Sequence, residues 1–310
     1  MAIGAGLSGQ LGVKAETTVG TAVTVDTFYP FNSESLELTK NIVQGRGIRA
    51  GALSPLSRRR TYPTRSAGGT VNLDFPSTGA DPLLLQMLGT VTGTTTKTYT
   101  PGNLTGKSLT IQKGVPQTDG TVKPFTYPGC KITSWTLSCE TGGILTLEIT
   151  VDAQDEVPTS PALATASYTT SHTFDFSQGA LTLGGVAVAN VKAASITGEI
   201  PLKTDRWFFN AAGKKAEQIQ NDYPSITGSL ATEFVSQATI YDVFRADSGV
   251  ALVLTFTNGS ASLVVTCGEI RFDGESPKVG GPDVVDLTAP FTALDNESDP
   301  WISIAYTPAA

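Results

Sequence analysis

Between residues 66 and 77 apolar and polar positions alternate: Val71, Leu73 and Phe75 fall on one side of an extended chain, and Thr70, Asn72 and Asp74 on the other. Period-two alternation of this kind predicts a half-buried strand. The pattern returns at residues 225–236, where Leu230 and Phe234 oppose Ser229, Ala231 and Glu233, at an offset of 225 − 66 = 159. Two further stretches repeat in the same order. Gly142 and Gly143 followed by ILTLEITV resemble Gly280 and Gly281 followed by PDVVDLTAPF, an offset of 280 − 142 = 138, and SLELT from Ser35 resembles SITGEI from Ser195. A period this long implies two copies of a whole domain, since solenoids repeat every ~20 to 50 residues.

The remaining pattern divides the chain into an arm at 1–27, a first domain at 28–157, a linker at 158–169 and a second domain at 170–310. The arm is rich in Gly, Thr and Ala with weak periodicity, so it is expected outside any core. In the first domain, strands are predicted at 28–39, 66–77, 109–112, 131–138 and 144–151, the last two joined as a hairpin by Thr141, Gly142 and Gly143. Asp81 and Pro82 open a short helix that Gly89 ends, with Leu83, Leu84, Leu85, Met87 and Leu88 between. In the second domain, strands are predicted at 173–176, 193–202, 226–234, 251–256, 263–272, 284–291 and 301–306, with the counterpart helix at 239–246. Two long connections stand out, 41–65 and 205–222. The first holds Arg46, Arg49, Arg58, Arg59, Arg60 and Arg65, and connections of this length are functional or disordered.

Composition agrees with strands and turns: of 310 residues, 32 are Gly, 18 are Pro and only 16% are charged. The expected fold class is therefore mainly β, two tandem sandwich or barrel domains each with one short helix. A net charge of −7 argues against a general nucleic-acid binder, whose footprint is a basic face. Cys130, Cys139 and Cys267 are an odd number without CxxC spacing, so buried free thiols are expected, and neither a disulfide framework nor a zinc site. His172 is the single histidine, which removes most Ser-His and Cys-His nucleophile systems. The GxGxxG at Gly4–Gly9 lacks the strand before it and the helix after it that would place a pyrophosphate. Asp152, Asp155 and Glu156, and Asp295, Glu297 and Asp299, lack calcium-loop spacing and read as solvated turns. No catalytic, cofactor or metal site is expected. Neither a signal peptide nor a membrane helix is apparent in the pattern.

At five stretches the sequence resembles the major tail tube proteins of long non-contractile tailed bacteriophages, particularly those of actinobacteria. They are SGQLGVKAETTVGTAVTV from Ser8, NSESLELTKNIVQGRGIRAG from Asn32, YTPGNLTGKSLTIQKG from Tyr99, FTYPGCKITSWTLS from Phe125 and IRFDGESPKVGGPDVVDLTAPFTALD from Ile270. The resemblance implies a non-enzymatic virion protein, assembled in the host cytoplasm as rings of β-sandwich subunits that stack into a tube around a tape measure protein. Tail terminator and distal tail proteins would be its other partners, and DNA would pass through the lumen transiently. The departure is size, because many members carry one such domain.

With that architecture, the polar faces of the repeated strands would line the bore, making Glu37, Asp74, Glu148, Glu199, Glu233 and Asp286 candidate lumen-facing residues. Arg46, Arg49, Arg58, Arg59 and Arg60 become candidate ring-to-ring contacts. A related tail component such as a terminator, or an extracellular carbohydrate-binding β-sandwich, is the alternative. The latter expects a signal peptide and clustered aromatics.

Overall fold

The computed structural model of the chain describes residues 4–209, 212–238, 240–274 and 276–309. Its first half contains β1 (Gln10–Ala15), β2 (Thr27–Tyr29), β3 (Ser33–Glu34), β4 (Glu37–Gln44), β5 (Arg60–Asp74), α1 (Asp81–Leu88), β6 (Gly89–Thr92), β7 (Lys97–Pro101), β8 (Leu109–Pro116), β9 (Val122–Glu140) and β10 (Thr146–Ala153). The second half contains β11 (Gly179–Leu183), β12 (Val186–Ala187), β13 (Val191–Glu199), β14 (Leu202–Lys203), β15 (Ile219–Gln220), β16 (Ser225–Glu233), α2 (Tyr241–Arg245), β17 (Val250–Asn258), β18 (Ala261–Phe272), β19 (Asp286–Leu294) and β20 (Ser303–Thr307). The protein is mainly β, as its composition implies.

The order β4-β5-β10-β9 in the first half recurs as β13-β16-β19-β18 in the second, every pair antiparallel. Outside these four, β2-β1-β8 continues from the first part of β9, and β12-β11-β17 continues from β18. The halves join edge to edge, since β9 and β13 pair from Ala193 opposite Glu140 to Glu199 opposite Ser134. Eight strands thus form one unbroken sheet, β4-β5-β10-β9-β13-β16-β19-β18. At the seam Trp135 lies across from Gly198, and its ring occupies the space a side chain there would need. The C-terminal β20 pairs with β18 and also with β7 of the first half.

One core runs beneath both halves. Phe75 of the first half meets Phe174 and Tyr306 of the second at 6.1 Å between ring centres, and Phe174 meets Phe256 at 6.4 Å. All four rings are buried, each worth ~1.5–3 kcal/mol by transfer alone. Val71 and Leu73 point into this core as the alternation requires. Helix α1 has the bounds expected, with Asp81 at its start and Gly89 at φ 101° closing it.

Several expectations need correction. The arm at 1–27 is in fact β1 and the start of β2; β1 pairs with β8 along its whole length, and Leu11, Val13 and Val25 are buried. Residues 1–3 lie outside the described residues. The single strand at 28–39 is broken into β2, β3 and the start of β4, because Pro30 lacks the N–H to continue the ladder and the chain crosses from one sheet to the other there. The connection 41–65 is largely a hairpin: β4 and β5 remain paired to Gln44 opposite Arg60, leaving only 45–59 as its loop. The linker 158–169 packs on the first half, with Ala164 buried against Val25 and Phe28 and its N–H donating to Gln112 Oε1 at 2.9 Å. At 173–176 there are only single bridges, Pro76 with Thr173 and Ile144 with Asp175. The counterpart helix is the shorter α2, and Thr239 lies outside the described residues. The hairpin offset also changes, for Asp74 faces Thr146 while Glu233 faces Asp286, so 286 − 146 = 140 replaces 138. A slip of two keeps every side chain on its face, which is why the shorter offset still placed the residues on the correct side.

Candidate functional site

The face of the eight-strand sheet turned away from the core is carpeted with hydroxyls. One row runs Asn72, Glu148, Thr136, Thr197, Thr227 and Thr292 across six strands, each directly opposite the next. The adjacent row runs Asp74, Thr146, Ser138, Ser195, Ser229 and Pro290. Hydroxyls pair across the seam and within the hairpin, Thr136 with Thr197 at 3.0 Å and Ser138 with Thr146 at 2.9 Å. Short β-branched and hydroxyl side chains suit a pleated, half-wet surface.

The register brings all six candidate acids to this face: Asp74 and Glu148 in these rows, Glu199 opposite Ser134 and Ser225, Glu233 opposite Asp286, and Glu37 of β4 opposite Gly68 of β5. They are not six isolated charges. Glu233 and Asp286 face each other, and the Lys192 ammonium bridges them at 3.1 and 2.8 Å. A bulge between Val191 and Ala193 leaves Lys192 without a ladder partner and turns it onto this face. Hydrogen bonding to Asp286 first, then Glu233, raises the Lys192 pKa. Asp74 accepts from Asn32 Nδ2 at 2.9 Å. Of these acids only Asp74 and Glu233 stand at equivalent places in the two halves: Glu148 corresponds to Thr288 and Glu37 to Thr197, since 148 + 140 = 288 and since Glu37 and Thr197 face Gly68 and Thr227, themselves 159 apart.

In the connection 205–222, residues 205–209 and 212–222 are not a free loop, and 210–211 lie outside the described residues. The connection crosses the seam and clasps the first half. Trp207 Nε1 donates to Arg65 O at 3.1 Å, Lys215 pairs with Asp152, and Gln218 Nε2 donates to Gly129 O at 3.1 Å and to Asp152 Oδ2 at 2.8 Å. Glu217 accepts from the Gly106 N–H at 2.6 Å and from Lys131 Nζ at 2.7 Å. Asp152, Asp155 and Glu156 are therefore not solvated turns. Arg65 grips Asp155 with two bonds of 2.7 Å and Tyr127 donates to Glu156 at 2.7 Å. No spacing in the sequence joins 205–222 to 131 and 152; only its being long, like 41–65, marked it.

Burial pushes the Glu217 carboxyl up, but the bonds from Lys131 and Gly106 outweigh it and hold the pKa below the ordinary 4.5. A depressed folded pKa adds stability above the unfolded value that is lost as pH falls through it. Wild type should therefore exceed Glu217→Gln in urea midpoint at about pH 5.5, and the gap should narrow as pH falls from about 4.5 through the depressed folded pKa. A gap that stays constant over that range counts against the linkage.

The tip of the first half's hairpin projects beyond the sheet with no such partner surface among the described residues. Arg46, Arg49, Arg58, Arg59 and Arg60 are exposed on it, as are Ile48 and Leu53, both fully. Cys130, Cys139 and Cys267 are all free and buried, and burial pushes the Cys267 thiol up to about 12. Among the described residues no group of His, Cys, Asp and Glu could hold a metal ion, and no helix is long and apolar enough to cross a membrane.

A family model described as phage tail tube protein matches residues 6–293. The chain belongs to that family. Tail tube proteins are structural, so the polar face and the projecting hairpin of this one are to be read as surfaces of a virion tail component rather than as a catalytic site. A search among curated proteins found no match for this tail tube protein.

Proposed function

We propose that the protein polymerises as stacked rings of three chains into the tube of a long non-contractile phage tail, with the hydroxyl-rich face as its inner wall. The observation that carries this reading is the eight-strand sheet assembled from two runs of four in the same order. Three chains would supply about 24 wall strands; at ~4.8 Å spacing and ~45° tilt these close at a radius of roughly 26 Å, and ~5 Å of side chain leaves a bore of about 42 Å. B-DNA of roughly 20 Å passes. About 12 strands would leave only ~16 Å. The rings would form around a tape measure protein between a terminator and distal tail proteins. A three-dimensional reconstruction of assembled tubes tests the ring, and six copies of this chain per ring would overturn it.

A wall of neutral hydroxyls with scattered acids, its Lys192 already paired to Glu233 and Asp286, gives phosphates little charge to hold, and its repulsion reaches only ~8 Å at physiological salt. Centred DNA would slide and only close approach would be penalised. Converting Glu148 and Glu199 to Lys should leave tubes intact but make them retain short duplex DNA at low salt, released as salt is raised. If the reconstruction shows Asp74 and Glu233 on the outer surface, this account of the bore fails.

A further inference from the structure

The internal seam is a template for the seams between copies, a step that rests on the ring proposed above. Ser35 corresponds to Ser195, because each carbonyl lies against a glycine, Gly69 and Gly228, at the position a Cβ would take. Thr39 faces Ser66 and Glu199 faces Ser225, so the connections between the paired strands hold 65 − 39 = 26 and 224 − 199 = 25 residues. Two connections of nearly equal length leave the same place in the two halves and end in different states. That of the second half reaches across β9–β13 and clasps the first half through Lys215, Glu217 and Gln218. That of the first half finds no such half beside it among the described residues. It stands out as the β4–β5 hairpin, with Ile48 and Leu53 bare, and the outer edge of β4 pairs with no strand among the described residues.

We propose that this hairpin clasps the second half of the neighbouring copy in the same ring, as residues 205–222 clasp the first half within the chain. Charge supports the pairing. From Gly45 to Arg60 the hairpin carries five Arg and no acid, whereas residues 225–310 carry eleven Asp and Glu against three bases, Arg245, Arg271 and Lys278. Asp247, Asp273, Asp295, Glu297 and Asp299 on that half are exposed. The protein as a whole is acidic, so a tract of five uncompensated cations has its complement in another copy rather than in its own half.

The template fixes the contact to particular residues. Lys215 stands ten before Ser225, as Leu56 stands ten before Ser66; Asp152, which receives Lys215, corresponds to Thr292, since 152 + 140 = 292. Leu56 of one copy therefore lies against Thr292 of the next. Within one chain β4 and β19 are six strand spacings apart in the sheet, about 29 Å, far beyond the ~7 Å a disulfide spans.

The test is a double variant, Leu56→Cys with Thr292→Cys, oxidised as assembled tubes and run on a denaturing gel without reductant. The native thiols are buried and do not compete. Covalent multimers that stop at three chains are expected, with monomer from either single variant. A ladder running on without end would place the hairpin on the next ring and overturn the proposal. Wild-type tubes with no cross-link in the double variant would overturn it too and leave the tube reading intact, whereas a wild-type protein that forms no tubes removes both. Replacing Arg58, Arg59 and Arg60 with Ser is the second arm. It should yield a folded monomer that needs about tenfold more protein to polymerise, most markedly at low salt, where the lost attraction is least screened; an unchanged threshold argues against the charge pairing.

Discussion

Lys131→Ala should cost about 3–5 kcal/mol, the toll for stripping a buried ion pair of one partner. The ammonium is 1% exposed and holds three acceptors at once: Glu217 Oε1 at 2.7 Å and the carbonyls of Leu104 and Gln218 at 2.8 Å each. Burial alone pushes its pKa down, and Glu217 pulls it back. Removing it leaves two buried carbonyls without their donor and a carboxylate facing a void, while the clasp loses the post around which Arg206, Glu217 and Gln218 are arranged. With a urea slope of ~3 kcal/mol per M, the midpoint should fall by about 1–1.7 M, and Lys131→Met, which keeps the aliphatic stem, should fall by less. Protease nicking within 205–222 should rise in parallel. A midpoint shift under about 0.3 M would mean that the clasp is an ornament on the first half and not part of its fold.

Gly69→Ala should be nearly as damaging, by about 2–4 kcal/mol, for a backbone reason. Gly69 has φ 150°, and a Cβ there would press on the Ser35 carbonyl, 2.7 Å from its carbon and 2.9 Å from Leu36 Cα. All three atoms are main chain, so no side chain can rotate away. The strain would lift β3 and β4 from β5, and those strands form the free edge of the eight-strand sheet. The variant should fold with a lower denaturation midpoint and fail to polymerise at concentrations that support wild type. Normal polymerisation alongside the stability loss would show that this edge is not an assembly surface.

Where one face of a strand is dry and the other wet, the sequence announces it, and β5, β10 and β16 were readable for that reason. Strand β1 was not, because Leu11, Gly12 and Val13 are all buried; Gly12 lies under Val25 and Phe28, so both faces are covered and no alternation appears. The outer parts of β4 and β5 failed in the opposite way, being exposed on both faces, with the same loss of period. Helix α1 was marked at each end by Pro82 and Gly89, while α2 has no such punctuation. The polar face could be read from single strands. The Lys192 bridge could not, since it depends on a bulge, nor could the clasp, whose partners named above lie 63 to 142 residues away in sequence.

The β9–β13 seam forms within one chain, and in the ring proposed above this would change the kinetics of closure. In a ring of three chains with six equivalent seams, three are closed during folding, at a rate independent of protein concentration. Only three have to be made by encounter. A nucleus that would demand six separate bodies then demands three, so the rate of starting a tube depends on a much lower power of concentration. Tethering also acts as an effective concentration in the millimolar range for the seam it spans. A second effect follows from the same covalent link. In the proposed ring, the clasp would be settled on its half before any partner arrived, while the hairpin would stay open to meet one.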